Sequence, residues 1–222
     1  MLDYIIKGGP LMVPLLVLSV LALGVALDRW SAFRRDAKID TRTLRAKVLR
    51  LLNEGKTREA ADLCTSTPGP VAALLLAGVQ AYARHSAVSD RAEVLRTLVQ
   101  DALEDYAFTV MRAVEKRLNV LSFIGSSAPL FGMTGTVTGM IKSFSAIAGA
   151  GALEGGIVAA GISEALTTTA AGLMIAIGAV IPYHHFMSRT GKIEQDIHEA
   201  GAQLLDFVTL KHTVKQATEE RI

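Results

Sequence analysis

The stretch GISEALTTTAAGLMIAIGAVIP, residues 161–182, decides the fold class. It opens on a carboxylate, follows with three threonines, and then stays apolar for more than three further turns. No Asp, Glu, Lys or Arg occurs from 165 to 188, between Glu164 and Arg189. At about 1.5 Å per residue, a helix of that length crosses a hydrocarbon layer of roughly 30 Å. Such an oily segment has to account for Glu164, Thr167, Thr168 and Thr169 on its entry turns.

Two other uncharged runs match it. Residues 8–27 (GGPLMVPLLVLSVLALGVAL) lie between Lys7 and Asp28, and residues 118–141 lie between Arg117 and Lys142. Half of the 222 residues are hydrophobic and the mean hydropathy is +0.37, values of a membrane protein rather than a soluble domain. A net charge of +2, with no basic stripe among aromatics, argues against a nucleic-acid partner. A single cysteine, Cys64, rules out an internal disulfide and the paired-cysteine zinc patterns. The first run reads as a retained span, because Arg29, Arg34, Arg35 and Lys38 follow it at once, although Gly24 and Ala26 mimic a signal-cleavage site.

Charge sets the topology. Segment 28–118 carries 16 Lys and Arg and segment 187–222 carries 5, leaving only Lys7 and Lys142 elsewhere. The positive-inside rule then places the N-terminus outside and the C-terminus in the cytoplasm of a multi-pass membrane protein. The expected organisation is outer N-terminus and first span, 1–28; cytoplasmic helical insert, 29–117; second span, 118–147; outer loop, 148–160; third span, 161–186; cytoplasmic C-terminal helix, 187–222. The fold class is all-α.

Within the insert, Leu44, Val48, Leu51 and Leu52 form an apolar face at helical spacing. NEGK (53–56) makes a turn, TPGP (67–70) breaks the chain, and VAALLLAGV (71–79) reads as a buried helical face too short to span. Asp90 with Glu93 forms a capping-box-like start for one long helix that has no breaker until Gly125 and continues into the second span. In the tail, Ile193, Ile197, Leu204 and Val208 share a face expected to pack on a neighbour or a like subunit. GAGALEGG (149–156) is a turn, and neither it nor GMTGTVTGMIKS (132–143) fits a phosphate-loop pattern.

The second span carries Gly132, Gly135 and Gly139 interleaved with Thr134, Thr136 and Thr138, and the third carries Gly172 behind its threonines. Small residues let membrane helices approach closely, and a threonine can bond the preceding turn's carbonyl. Six threonines on two neighbouring spans point further, to a polar lining. If Lys142 and Glu164 mark one outer boundary, Thr136 and Thr169 lie about 9 Å and about 7.5 Å below it, nearly level. Glu164 aligns with Thr167 and Thr168 rather than with Thr169. Its carboxylate needs water or a partner, and deeper in either span no acid follows. A proton relay near mid-membrane must therefore come from another chain. His184, His185, Trp30 and Tyr183 read as interfacial anchors, and Pro182 as the bend or end of the span.

VEKRLNVLSFIGSSAPLFGMTGTVTGMIKSF, followed by GISEALTTTAAGLMIAIGAVIPYHHF, resembles the signature of the MotA/TolQ/ExbB proton-channel family. The opening GGPLMVPLLVLSVLALGVALDRW resembles the first span of its ExbB/TolQ-like branch. The resemblance covers the three spans and implies a stator-like, channel-forming subunit of the bacterial inner membrane, with its N-terminus and the 148–160 loop in the periplasm. It would form a homo-oligomer, a pentamer, around an ExbD/TolR-like single-span partner that supplies the intramembrane aspartate. A TonB/TolA-like protein would receive the force. Protons are the implied coupling ion, with no other cofactor and no bound metal. Thr136 and Thr169 would line the pore, with Thr134 and Thr168 beside them and Glu164 near the outer mouth. Departures from the family pattern are Gly178 in place of the usual proline, Pro182 one turn later, and Asp28-Arg29 at the edge of the first span. The rival reading is a passive scaffold whose glycines and threonines only pack helices. An enzyme finds no nucleophile–base–orienter set.

Overall fold

A computed structural model describes residues 8–36, 40–86, 91–150 and 155–219. The described residues form seven helices: α1 (Met12–Asp36), α2 (Thr41–Asn53), α3 (Thr57–Ser66), α4 (Pro70–His85), α5 (Ala92–Glu115), α6 (Leu118–Ala150) and α7 (Gly155–Glu219). Three stretches are long and apolar enough to cross a membrane, Met12–Arg34, Ala92–Ala148 and Val158–Thr213. The chain divides into two compact units, one formed by residues up to Trp30 with Lys116–Met187, the other by Ser31–Glu115 with Ser188 onward.

The second unit has an ordinary globular core. Asp40 caps α2 by accepting from the backbone N–H groups of Arg42 and Thr43, and the Thr43 hydroxyl on the same carboxyl holds it below the usual carboxylate range. Gly55, at φ +78°, makes the NEGK turn, and Gly69, at φ +114°, leads into α4 with Pro70 at its first turn. Val48, Leu52, Leu75, Val79, Leu95 and Val99 are buried together. Ile197, Leu204 and Val208 of α7 join them. The tail face therefore packs on this chain's own insert, where the sequence reading looked to a neighbour or a second copy. Polar ties fasten the same packing: Arg45 Nη1 to Glu199 at 2.6 Å, Thr41 to Asp196 at 3.2 Å, and Lys211 Nζ to the Leu52 carbonyl at 3.0 Å.

The first unit holds α1 to Trp30, α6 and the first half of α7. Met12, Leu15, Leu18 and Ala22 form the buried stripe of α1, whereas Val13, Val17, Val20 and Leu23 are exposed. Outward apolar residues continue on α6 (Leu130, Met133, Val137) and α7 (Met174, Ile177, Ile181). Water would reject so large an apolar surface, but lipid or neighbouring helices accept it. At one end, Asp28 pairs with Arg29 and Arg117, and the Trp30 and His185 rings lie 6.0 Å apart.

One sequence expectation is corrected. The helix from the insert does not run unbroken into the second span: it stops at Glu115, and Lys116 and Arg117 form a turn before α6. There Arg117 reaches Asp28, a contact that no periodicity encodes. Pro182, read from the sequence as a bend or an end of the span, lies inside α7, which continues to Glu219. A proline removes one N–H and so strands one carbonyl, a cost that flanking regular turns can absorb. The Asp90 cap and residues 151–154 of the GAGALEGG turn lie outside the described residues, and the flanking 149–150 and 155–156 belong to α6 and α7.

Candidate functional site

The site is built where α6 and α7 run antiparallel in contact. Glycine makes that contact possible. A methyl group on Gly172 would stand 2.6 Å from the Ala128 carbonyl oxygen and 3.1 Å from Gly132 Cα. One on Gly135 would meet the Thr168 side chain at 2.6 Å, and one on Gly139 would meet Ala165 at 2.8 Å. Partner numbers fall along α7 as they rise along α6, so one register is kept throughout. The four predicted packing glycines, Gly132, Gly135, Gly139 and Gly172, all lie in this seam. Gly125 against Val180 and Gly161 against Ser143 extend it in both directions.

Close approach lets backbone carbonyls receive hydroxyls from the opposite helix. Thr169 Oγ1 donates to the Gly132 carbonyl at 2.7 Å. In an α-helix that carbonyl also serves the N–H of the residue four further on, which is Thr136. Thr169 therefore stands beside Gly132, one turn from Thr136 along the same strip of α6. Thr136 itself is half-buried, its hydroxyl donating to Met133 at 2.7 Å. Such a hydroxyl keeps its lone pairs for water or another donor.

The remaining threonines divide by face. Thr134 and Thr138 are exposed one turn apart, with hydroxyls donated to the Leu130 and Thr134 carbonyls. Two residues are about 200° on a helix, so Thr134 faces nearly opposite to Thr136. Thr167 donates to Ser163 at 2.8 Å. Thr168 is 1% exposed, with its hydroxyl donated to Gly8 at 2.6 Å and to Glu164 at 2.9 Å. It fastens the entry of α1 to α7 inside one protomer.

Glu164 stands at the head of this constellation. Its Oε1 lies 3.3 Å from Lys142 Nζ and also packs on Gly9, which sits at φ +70°. A side chain at Gly9 would be strained by the backbone and would collide with the carboxylate. Gly8, Gly9 and Lys142 were missed as site residues by the sequence reading. The signal was present in the Gly-Gly-Pro breaker before the first span and in Lys142, the lone cation between Arg117 and Arg189. Among the described residues no cluster of His, Cys, Asp or Glu could hold a metal ion.

Known proteins resemble this sequence. The family model for the MotA/TolQ/ExbB proton channel family matches residues 67–199. A putative biopolymer transport protein ExbB-like 1 of Synechocystis is 36% identical over 195 residues, covering 85% of this chain and 71% of that protein. The biopolymer transport protein ExbB of Pseudomonas putida is 30% identical over 200 residues, covering 87% and 60%. The Tol-Pal system protein TolQ of Haemophilus influenzae is 38% identical over 102 residues, covering 46% and 43%. The chain thus spans between about two fifths and seven tenths of these relatives' lengths.

Proposed function

The chain belongs to the MotA/TolQ/ExbB proton channel family, on its ExbB/TolQ-like branch, and from that premise we propose that it is the channel-forming subunit of an inner-membrane complex driven by the proton-motive force. The observation that carries this reading is the Thr169–Gly132 contact. It brings two hydroxyl-bearing helices into direct contact, on segments that carry a single carboxylate at one end and no acid midway.

In this reading Thr136 and Thr169 line a narrow water path and Glu164 marks its outer mouth. Thr134, on the far face of α6, serves the contact with a neighbouring protomer or the opposite side of the lining, and Thr168 fixes the position of Glu164. Hydroxyls suit such a wall because they exchange hydrogen bonds with water without the cost of a buried charge. Copies of the chain, five in the family's arrangement, surround an ExbD/TolR-like helix whose aspartate provides the titrating relay. The N-terminus is periplasmic, while the insert and the C-terminus are cytoplasmic. Each proton crossing the membrane releases about 2.3 kcal/mol per 100 mV, which moves the inner helix and energises a TonB/TolA-like protein.

The test is partner-dependent proton flux in proteoliposomes containing Glu164→Ala, Thr136→Ala or Thr169→Ala protein. Loss of flux in Glu164→Ala and in at least one threonine variant, with intact assembly, is expected. Wild-type flux in all three would end the reading. The passive-scaffold alternative draws on the hydroxyls of Thr168 and Thr169, both engaged in bonds between segments, and predicts lost assembly instead of lost flux.

A further inference from the structure

Phe108 of α5 is 65% exposed, and the Arg112 guanidinium lies over its ring at 5.3 Å. Asp101, Asp105 and Glu115 stand exposed on the same helix, so lipid tails do not cover this ring. On the next face of α5 lies an apolar groove of about 370 Å³, lined by Leu74, Leu103, Ala107, Gly201, Ala202 and Leu205. Gly201 keeps it open, since a methyl group there would meet only Leu103, at 3.9 Å. Ring and groove both belong to the second unit, and neither takes part in the hydroxyl walls or the glycine seam. Each is apolar surface that water rejects.

We propose that neighbouring copies of this chain join here: Phe108 of one enters the α5–α7 groove of the next, with Arg112 set against Glu194. This rests on the ring of copies read above and names the surfaces that close it. Ala107 lines the groove and Phe108 follows it, turned about 100° around α5, so the two patches point in different directions. A contact between unlike patches leaves one of each free at every step, until a ring closes. Closure also needs the patches to be level, because copies sharing one membrane and one orientation stand at one height. Consecutive residues meet that condition.

Charge points to the same partner. α4 and α5 meet where Leu103 lies against Gly78, and residues 86–91 between them are too few to return the chain for a parallel pairing. α5 therefore runs against α4. α4 runs with α7, since Gly78 faces Leu204 and Tyr82 faces Phe207. The direction from Gly201 to Glu194 along α7 is thus the direction from Leu103 to Arg112 along α5. Glu194 lies about 10 Å from the Leu103–Gly201 contact and the Phe108–Arg112 turn about 8–13 Å, so carboxylate and guanidinium are level. His198, one turn from Glu194 on the same face of α7, also lines the groove. Among the described residues neither Arg112 nor Glu194 has an ion-pair partner in its own chain.

The experiment places the photoreactive aromatic p-benzoylphenylalanine at position 108 of the full chain, expressed with its partner, and irradiates the membranes. Each chain then carries one reactive ring and one groove. A ladder of covalent multimers is expected, with adducts mapped by mass spectrometry to Gly201, Ala202 or Leu205. The same group at Leu210, 67% exposed and outside the groove, should give no ladder. Gly201→Leu fills the groove with a good helix former and should lower the adduct yield about tenfold. Arg112→Glu and Glu194→Arg should each lower it about two- to five-fold, and the two together should restore it. Adducts that stop at dimers, or that form only with lipid or with the single-span partner, would overturn the proposal. So would an equal ladder from position 210, or a charge swap that fails to restore the yield. Cross-linking needs no conduction. A ladder without proton flux ends the channel reading and leaves the interface standing, and flux without a ladder does the reverse.

Discussion

The two units of this chain are both helical and are held together by opposite chemistry. In the second unit leucine and valine side chains fill the space between helices, as between Leu204, Leu75 and Val99. In the first unit, α6 and α7 meet where side chains are missing, with Gly172 on the Ala128 carbonyl and Gly132 on Thr169. Water explains the difference. Burying leucine stabilises a fold only if the alternative is exposure to water, and in a membrane the alternative is lipid, which is just as apolar. What remains in lipid is close van der Waals contact and hydrogen bonding, and both need small residues. The same economy produces the candidate site, since only helices this close let a threonine on one reach a carbonyl on the other.

Cutting a side chain from the water-facing core should have the largest effect. Leu204→Ala removes a fully buried side chain and is expected to cost about 2–5 kcal/mol, read as a lowered midpoint of chemical unfolding. Adding atoms to the glycine seam comes next. Gly172→Ala should cost about 1–3 kcal/mol and reduce the recovered oligomer, because the obstructing atoms are backbone and cannot swing aside. Gly178→Ala, on the same helix with nothing within 4 Å, should leave oligomer recovery unchanged. If the two glycines respond alike, the contrast between the units is wrong.

The smallest expected effect is chemical. Cys64 is 2% exposed, and burial pushes its thiol from 9.0 up to about 11. Its stability contribution should hold below the unfolded thiol's range and fall away as pH climbs from about 9 towards about 11, since only the unfolded chain readily gives up that proton. At pH 8, iodoacetamide should modify Cys64 only in chains whose second unit has opened.

Much of this was legible in the sequence because the elements are periodic or punctuated. The apolar runs gave the spanning segments, Gly55 and Gly69 gave the turns, and Gly132, Gly135, Gly139 and Gly172 gave the seam. Counting residues below Lys142 and Glu164 put Thr136 level with Thr169, whereas Thr169 meets Gly132, one turn from Thr136. What stayed hidden was long-range contact. No local pattern tells that Thr168 reaches back to Gly8 or that Arg117 leaves its helix for Asp28. Nor does one tell that the tail's apolar face meets its own chain's insert. Pro182 left a bend and an end both open, and the helix on either side of it shows that the helix does not end there.

Water along the threonine walls is the central claim, and thiol accessibility measures it most directly. In a Cys64→Ala background, Thr136→Cys and Thr169→Cys are exposed to a charged, membrane-impermeant thiosulfonate in the assembled complex with its partner, beside Leu130→Cys and Met174→Cys on the exposed apolar faces. The account predicts rapid modification of the two threonine positions and protection of the two apolar ones. Protection of Thr136→Cys and Thr169→Cys, with assembly intact, would contradict it.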